Sequence, residues 1–215
     1  MKKIAHGGGI TAAAQLYGGR PQDWLDLSTG INPNPVVVPD IPVSAWHRLP
    51  DQYLVDRARE AARNYYRSGD ILPLPVPGTQ SVIQLLPRLK PVANAAILSP
   101  TYGEYARAFA LADAPAVALR ALDDLSSESR LVVVVNPNNP DGRLFPIERL
   151  RRLHDELRER GGFLIVDEAF GDMAPEGSLA PYASEMPNLI IFRSFGKFFG
   201  LAGLRLGFVI AEPTI

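Results

Sequence analysis

Apolar residues return every three or four positions in two stretches of the chain, 51–66 and 146–160. This spacing places side chains on one face of a helix, so it predicts a helix in each stretch. Asp51 stands at the start of the first, where its carboxylate can accept hydrogen bonds from the free amides of the opening turn. Pro146 opens the second stretch and a glycine pair closes it, as is typical of helix ends.

Short segments that are apolar throughout alternate with helical segments in the rest of the chain. Such segments are typical of strands buried on both faces, as in a parallel sheet. The alternation predicts an α/β fold of three layers, α/β/α, with a mostly parallel sheet. The predicted strands are 95–99, 116–119, 131–135, 163–167, 188–192 and 204–210, and the further helices are 81–89 and 102–112.

The first fifty residues follow neither pattern. Glycines cluster at 7–9 and the sequence Asn-Pro-Asn-Pro stands at 32–35, and both are signals for turns. Only 10–17 has the spacing of a short helix. We therefore divide the chain into an N-terminal arm, 1–50, which lies against another surface, and a large domain, 51–215.

Composition narrows the class of partner. The chain has 215 residues, 47% of them hydrophobic, and a formal net charge of -1. Proteins that bind nucleic acid or anionic membranes usually carry an excess of basic residues. We therefore expect a small-molecule partner and no binding to nucleic acid or to membranes. The absence of cysteine excludes disulfides and thiolate catalysis and agrees with a reducing compartment. No apolar run is long enough for a signal peptide or a membrane span, so a cytoplasmic protein is expected.

Polar side chains follow several of the predicted strands. Asn136 to Asn139 come after the strand 131–135, Asp167 ends the next one, and Ser194 follows the strand after that. Open α/β sheets bind their ligands at the carboxyl ends of the strands. These positions therefore predict a ligand site at one edge of the sheet.

Two glycine-containing segments share some features with the loops that bind nucleotides. Gly196-Lys197 is followed by Phe198 and lacks the upstream glycine and the hydroxyl residue of a phosphate loop. The glycines at 7–9 have no strand before them and lack the third glycine of the dinucleotide fingerprint. Neither nucleotide interpretation stands.

Three motifs near the predicted strand ends carry a resemblance to a known family. They are Asn-Pro-Asn-Asn-Pro-Asp-Gly at 136–142, Asp-Glu-Ala at 167–169 and Ser-Phe-Gly-Lys at 194–197, and Arg205 follows them. In this order they resemble the fold-type-I aminotransferases, class I and II, which use pyridoxal 5'-phosphate. The resemblance covers nearly the whole chain.

The resemblance implies a role for each of these residues. Lys197 would hold the cofactor covalently, because a primary amine forms an imine with the aldehyde. Asp167 would pair with the pyridine nitrogen and keep it protonated, which makes the ring an acceptor for electrons from the substrate. Asn139 would contact the phenolic oxygen. Lys197 and Asp167 are thus the candidate catalytic residues.

The cofactor's phosphate calls for cations, hydroxyls and amides together. Arg205 and Ser194 resemble the family's phosphate ligands, and Gly78-Thr79-Gln80 would add amides and a hydroxyl at the start of a helix, where the dipole favours anions. Tyr102 would stack on the pyridine ring. Taken singly, these residues also have structural explanations, such as a cap, a turn or core packing.

The N-terminal arm carries a narrower resemblance. His6-Gly7-Gly8 and Ser28-Thr29-Gly30-Ile31-Asn32-Pro33 look like the opening of threonine-phosphate decarboxylases of cobalamin biosynthesis, relatives of the histidinol-phosphate aminotransferases. In those enzymes the arm helps to close over the substrate and its phosphate. His6 and Asn32 are therefore candidate substrate-binding residues, with a mobile tail and a plain turn as the alternatives. Phe170 stands where many aminotransferases have tyrosine and decarboxylase relatives often have phenylalanine.

This resemblance implies decarboxylation of L-threonine O-3-phosphate to (R)-1-amino-2-propanol O-2-phosphate by a homodimer. Two alternatives stay open: transamination of histidinol phosphate or a similar amino acid, and an inactive module that keeps the fold. The family continues past the position of Ile215 with a small C-terminal domain. The large domain is therefore expected to be incomplete at its C-terminal end, with the small domain absent.

Overall fold

The computed structural model describes residues 6–89 and 94–215. Within these residues seven strands form one sheet. The strands are β1 Leu74–Val76, β2 Ala95–Leu98, β3 Val117–Leu119, β4 Leu131–Val135, β5 Phe163–Asp167, β6 Leu189–Ser194 and β7 Gly207–Ile210. The helices are α1 Ile10–Tyr17, α2 Ser44–His47, α3 Gln52–Tyr66, α4 Thr79–Leu89, α5 Glu104–Leu111 and α6 Ile147–Glu159.

The sheet has the strand order β1-β7-β6-β5-β4-β2-β3. The pairs from β6 through β5, β4 and β2 to β3 are parallel, and β7 runs antiparallel to both of its neighbours. The predicted mostly parallel α/β sheet is therefore confirmed. Because β4, β5 and β6 run in the same direction, their carboxyl ends meet at one edge.

Helices cover both faces of the sheet. Leu131, Val133 and Val135 of β4 point into a buried cluster with α4 and α5. Val132 and Val134 point the other way, into a cluster with α3 and α6. The strand is apolar throughout because both of its faces are buried, and the predicted three-layer α/β/α architecture is confirmed.

The predicted helix ends are close to the observed ones. Asp51 caps α3, since its side chain accepts a hydrogen bond of 3.0 Å from the backbone N–H of Leu54. Helix α5 begins at Glu104, so the prediction 102–112 began two residues too early. Helix α4 begins at Thr79, so Thr79 and Gln80 are its first residues instead of part of the preceding turn.

Three strands differ from the predictions. The strand predicted at 188–192 extends to Ser194, which is the last residue of β6. The strand predicted at 204–210 begins only at Gly207, because Arg205 adopts a left-handed conformation with φ 53° and ends a short 3-10 turn. Strand β1 was not predicted at all. It is three residues long and contains Pro75, which an edge strand tolerates because its outer side has no partner for an amide.

The described part of the N-terminal arm runs along the large domain, and backbone hydrogen bonds attach it to the loop after β6. The backbone N–H of Asn32 donates to the carbonyl of Lys197 over 3.0 Å, and that of Val36 donates to the carbonyl of Phe199 over 2.9 Å. Helix α1 is confirmed as predicted, and α2 is an additional short helix. Among the described residues no helix combines the length and the apolar character needed to cross a bilayer.

Candidate active site

A cavity of about 140 Å³ lies at the sheet edge where β4, β5 and β6 end. The amino end of α4 and the loop between β6 and β7 complete its wall. All nine residues predicted to contact a cofactor line this one cavity: Gly78, Thr79, Gln80, Tyr102, Asn139, Asp167, Ser194, Lys197 and Arg205. Side chains from distant parts of the chain thus converge as the strand-end pattern predicts.

Asp167 lies at the inner end of the cavity, where β5 stops. Its side chain is fixed by two hydrogen bonds, from the hydroxyl of Tyr105 to Oδ2 (2.7 Å) and from the backbone N–H of Ala169 to Oδ1 (2.9 Å). Burial raises the pKa of Asp167, and the two hydrogen bonds oppose that rise because they favour the charged form. The result is a carboxyl group of fixed orientation that a cationic partner in the cavity would stabilise.

Lys197 occupies the loop after β6 and is half-buried. Burial lowers the pKa of its amine; the charge of Asp167 opposes this and the charge of Arg205 adds to it. Its Nζ lies 5.6 Å from the ring centroid of Phe170. A lowered pKa increases the fraction of neutral amine, which is the form that attacks a carbonyl carbon.

Part of the cavity lining is suited to an anion. Helix α4 begins at Thr79, and Thr79 and Gln80 line the cavity, so the positive end of the helix dipole lies at its wall. Gly78, at φ 72°, leaves room for the guanidinium of Arg205: a Cβ there would lie 3.0 Å from Nη2. Ser194 adds a hydroxyl at the end of β6. Amides, a guanidinium and a hydroxyl together form a typical phosphate-binding set.

In the asparagine-rich loop after β4, some side chains stabilise the loop and one lines the cavity. Asn136 accepts a hydrogen bond of 2.7 Å from the backbone N–H of Phe145. Asn138 is buried; its Oδ1 accepts from the hydroxyl of Thr101, and its Nδ2 donates to Asp141. Asn139 alone of the three lines the cavity. Two asparagines thus shape the loop and the third is presented to a ligand.

Tyr102 stands at the side of the cavity, and its hydroxyl donates to Oε1 of Gln80 over 3.0 Å. Burial raises the pKa of this phenol, with a further rise from the charges of Glu104 and Asp167. The hydroxyl therefore stays protonated at neutral pH. Two of the predicted residues are thus linked directly to each other.

The two predicted substrate residues lie beside the cavity, outside the set that lines it. Nε2 of His6 is 2.9 Å from Oε1 of Glu104, and its ring centroid is 6.3 Å from that of Tyr102. Nδ2 of Asn32 donates to the carbonyl of Phe198 over 2.8 Å. Both side chains attach the arm to the rim of the cavity, and their role in substrate binding stays a prediction.

Sequence reasoning missed the residues that support the site from behind. Tyr105 is fully buried, and the only signal for it was that a buried tyrosine hydroxyl needs a partner. On the other face of the sheet, Arg193 binds Glu168 over 2.7 Å and Asp172 over 2.5 Å. Arg193 and Glu168 are the chain neighbours of Ser194 and Asp167, and strand alternation turns them away from the cavity.

Comparisons with known proteins agree on one family. The model of the family "Aminotransferase class I and II" matches residues 22–215. A threonine-phosphate decarboxylase from Sinorhizobium sp. is 60% identical over 99% of this chain and 64% of its own length. A threonine-phosphate decarboxylase from Pseudomonas aeruginosa is 46% identical over 99% of this chain and 63% of its own length. The chain therefore spans less than two thirds of these relatives.

Solved structures share the fold. An amino transferase from Eubacterium rectale, 19% identical, superposes with a TM-score of 0.70 over 96% of this chain and 61% of that one. The histidinol-phosphate aminotransferase from Sinorhizobium meliloti, solved in complex with pyridoxal-5'-phosphate, is 25% identical with a TM-score of 0.58 over 72% of this chain and 46% of that one.

Proposed function

This chain belongs to the aminotransferase class I and II family, and on that premise we propose that it forms the larger part of a pyridoxal-phosphate-dependent decarboxylase. The proposed reaction converts L-threonine O-3-phosphate to (R)-1-amino-2-propanol O-2-phosphate with release of carbon dioxide. The observation that carries the class of reaction is the single cavity that joins Asp167, Lys197 and Arg205. The identity of 60% with a threonine-phosphate decarboxylase favours this substrate.

The types of residue that line the cavity fit the groups of pyridoxal phosphate. A buried carboxyl suits a protonated pyridine nitrogen, an amine suits an aldehyde, and backbone amides and a guanidinium suit a phosphate dianion. When bound, this cofactor supplies an aldehyde that links to amines and a ring that accepts the electron pair of a bond broken at the substrate's Cα.

We assign two kinds of role to the residues of the cavity: some would hold the cofactor, and Lys197 would transfer a proton. Asp167, oriented by Tyr105 and the amide of Ala169, would keep a proton at the ring nitrogen. Arg205 and the first turn of α4 would hold the phosphate and so place the cofactor next to Lys197. Lys197, whose amine has a lowered pKa, would take or return a proton at Cα.

The residues that orient the substrate would decide which bond to Cα breaks. Residues that hold the substrate carboxylate in the reactive position would favour release of carbon dioxide, and residues that hold the Cα hydrogen there, within reach of Lys197, would favour transamination. We propose that the arm contributes to this choice, with His6 and Asn32 as substrate-side residues, since both lie at the rim of the cavity.

One experiment separates decarboxylation from transamination. The chain and the longest natural polypeptide that contains it are each loaded with pyridoxal phosphate and given L-threonine O-3-phosphate together with 2-oxoglutarate, and carbon dioxide and glutamate are measured. Parallel reactions contain histidinol phosphate with 2-oxoglutarate. Carbon dioxide from phosphothreonine supports the proposal. Glutamate formed from either substrate without carbon dioxide supports the aminotransferase alternative, which the match to a histidinol-phosphate aminotransferase favours.

A trapping experiment tests the third alternative, an inactive module. Borohydride reduction of the loaded protein fixes the cofactor to the amine that holds it, and peptide mapping identifies that amine. The sequence has four lysines, so Lys2, Lys3 and Lys90 serve as internal comparisons. Label concentrated on Lys197 supports the proposal, and protein without label at Lys197 supports the inactive module.

We also propose that the protein is a homodimer. In the arm and the segment after it, large apolar side chains are strongly exposed, among them Leu25, Leu27, Val37, Trp46 and Leu49. Exposed apolar surface of this extent is typical of an interface. Light scattering after size-exclusion chromatography tests this proposal. A mass twice that of the chain agrees with it. The mass of a monomer, found both at high concentration and after 50-fold dilution, contradicts it.

A further inference from the structure

Glu104 is a buried carboxylate beside the cavity that has no place in the chemistry described so far. It is the first residue of α5 and only 2% exposed. Three donors surround it: Nε2 of His6 at 2.9 Å, Nε2 of Gln80 at 2.9 Å and Nη1 of Arg107 at 3.4 Å. These donors come from the arm, from α4 and from α5 itself. One carboxylate therefore connects three separate parts of the molecule.

The carboxylate determines which way the amide of Gln80 faces. A carboxylate accepts hydrogen bonds and cannot donate them, so only the NH₂ end of the amide can point at Oε2 of Glu104. The carbonyl end, Oε1, then has to face Tyr102, whose hydroxyl donates to it. With the amide reversed, two acceptors would meet at Glu104, and that arrangement is unfavourable.

Tyr102 is thereby held at the wall of the cavity by a hydrogen bond to Gln80, and Glu104 determines which end of the Gln80 amide accepts that bond. Tyr102 has only its ring and hydroxyl to fix its position, and the hydroxyl bond restrains the ring at its far end. A ring that is already restrained loses less entropy when a flat ligand stacks on it. Glu104 therefore acts on the cavity through Gln80 and Tyr102 without touching a ligand.

The same carboxylate holds the beginning of the described arm. Because Glu104 only accepts, Nε2 of His6 is the donor in the bond between them. The side chain of His6 is half-exposed and that of Glu104 is buried, so the arm approaches from the solvent side and docks on a fixed acceptor. The arm and the ring of Tyr102 thus depend on the same group.

We propose that Glu104 is a positioning residue: it orients Tyr102 through Gln80 for cofactor binding, and it anchors the N-terminal arm at the cavity through His6. The proposal rests on the proposed function in one respect, namely that the flat ligand beside Tyr102 is pyridoxal phosphate. It predicts that the cofactor and the arm both respond to a change at a residue that contacts neither the cofactor nor the substrate.

The first test measures the affinity for pyridoxal phosphate by equilibrium dialysis. Glu104→Gln keeps the size of the side chain and removes its exclusive acceptor character, so the affinity should fall about 5- to 10-fold. Tyr102→Phe should cause a similar loss. Because Glu104 acts through Tyr102, the double variant should be no weaker than Tyr102→Phe alone. Additive losses, or an unchanged affinity in Glu104→Gln, overturn this part of the proposal.

Glu148→Gln is the matched control. Glu148 also lies in the first turn of a helix, α6, but it is exposed and does not line the cavity. It therefore reproduces the loss of a negative charge at a helix start without the contacts of Glu104, and its affinity should stay within about 2-fold of the unchanged chain. Should Glu104→Gln fail to fold, Gln80→Leu interrupts the same connection one step later, and it should match the loss seen in Tyr102→Phe.

The second test follows the arm by amide hydrogen exchange of the cofactor-free protein. His6→Ala and Glu104→Ala should each speed exchange at the amides of Asn32 and Val36, which bind the loop that carries Lys197. Unchanged exchange in both variants refutes the arm's dependence on Glu104. Trapping on Lys197 separates the two proposals: an unlabelled parent chain refutes the proposed function, whereas a labelled parent with unaltered Glu104 variants refutes only this inference.

Discussion

At the scale of single residues, the side chains that meet a ligand were easier to predict than those that support them. Lys197, Asp167 and Arg205 belong to local motifs at strand ends, so their sequence neighbours reveal them. Tyr105 and Glu104 act through partners that are far away in the chain, 62 positions for Tyr105 and Asp167 and 98 for His6 and Glu104. Nothing in the local pattern indicates such pairs.

The lowered pKa of Lys197 leads to a prediction about pH. Burial disfavours the charged amine, so the midpoint of its reaction with acetic anhydride should lie below the ordinary value of 10.5 in cofactor-free protein. Asp167→Asn removes the negative charge that raises this pKa, and the midpoint should move further down. Competitive labelling followed by mass spectrometry gives the profile, and an upward movement in Asp167→Asn would contradict the assigned cause.

Tyr105→Phe should destabilise the protein by about 1–2 kcal/mol at pH 7, because a buried carboxylate loses a donor. The hydrogen bond from Tyr105 lowers the pKa of Asp167, so its loss raises that pKa further above 3.8. The loss of stability in Tyr105→Phe is greatest at a pH where Asp167 is charged. It becomes smaller as the pH falls through the pKa of Asp167 in the folded protein. Urea unfolding at pH 7 and near pH 4 measures both values.

Tyr182→Phe is the comparison for that change. Tyr182 is half-buried and stacks with Arg151 away from the cavity, so losing its hydroxyl should cost less than about 0.5 kcal/mol. A cost for Tyr105→Phe that is equally small, or that is independent of pH, would show that the hydroxyl does not support Asp167.

At the scale of secondary structure, the central strands were predictable and the sheet edge was not. Strands β4 and β5 are buried on both faces, so burial itself produces their continuous apolar runs. Strand β1 has three residues and a proline, which gives no such run. The antiparallel direction of β7 was not predicted either, because an apolar segment has the same pattern in a parallel and in an antiparallel strand.

The pair of Glu168 and Arg193 joins the ends of β5 and β6 behind the cavity, and its removal should be costly. Arg193→Met leaves Glu168 and Asp172 buried without their cation, which should destabilise the protein by about 3–5 kcal/mol. Binding of pyridoxal phosphate should weaken as well, since Asp167 and Ser194 are the adjoining residues. Chemical unfolding and dialysis provide the two measurements.

Arg151→Met is the control for the same substitution at an exposed pair. Arg151 lies 3.8 Å from Glu185, and the two side chains are 42% and 67% exposed. The expected cost is below about 1 kcal/mol. Equal costs at the two arginines would mean that the buried pair gives the strand ends no particular support.

At the scale of the whole molecule, the arm packs closely against the large domain at the loop that carries Lys197. Gly200 has φ 70°, and a Cβ there would lie 2.7 Å from Cα of Pro35 and 2.8 Å from the carbonyl oxygen of Asn32. The arm can approach this closely only because the position is glycine. The sequence shows the glycine but gives no sign of the distant segment that packs against it.

Gly200→Ala should therefore loosen the arm. The left-handed backbone alone costs about 1 kcal/mol with alanine, and the contact with Pro35 adds to this. Gly203→Ala in the same loop is the control, since its Cβ would meet no atom within 4 Å. Thermal unfolding and hydrogen exchange at Asn32 should change for Gly200→Ala alone, and equal behaviour of the two variants would exclude this junction as the arm's attachment.

The junction also sets an order of events during synthesis. Asn32 leaves the ribosome long before Phe198, its partner 166 positions later. At about 5–20 residues per second, the arm waits on the order of 10–30 seconds for its binding surface to exist. A segment made early in synthesis can therefore dock only after most of the large domain has been made.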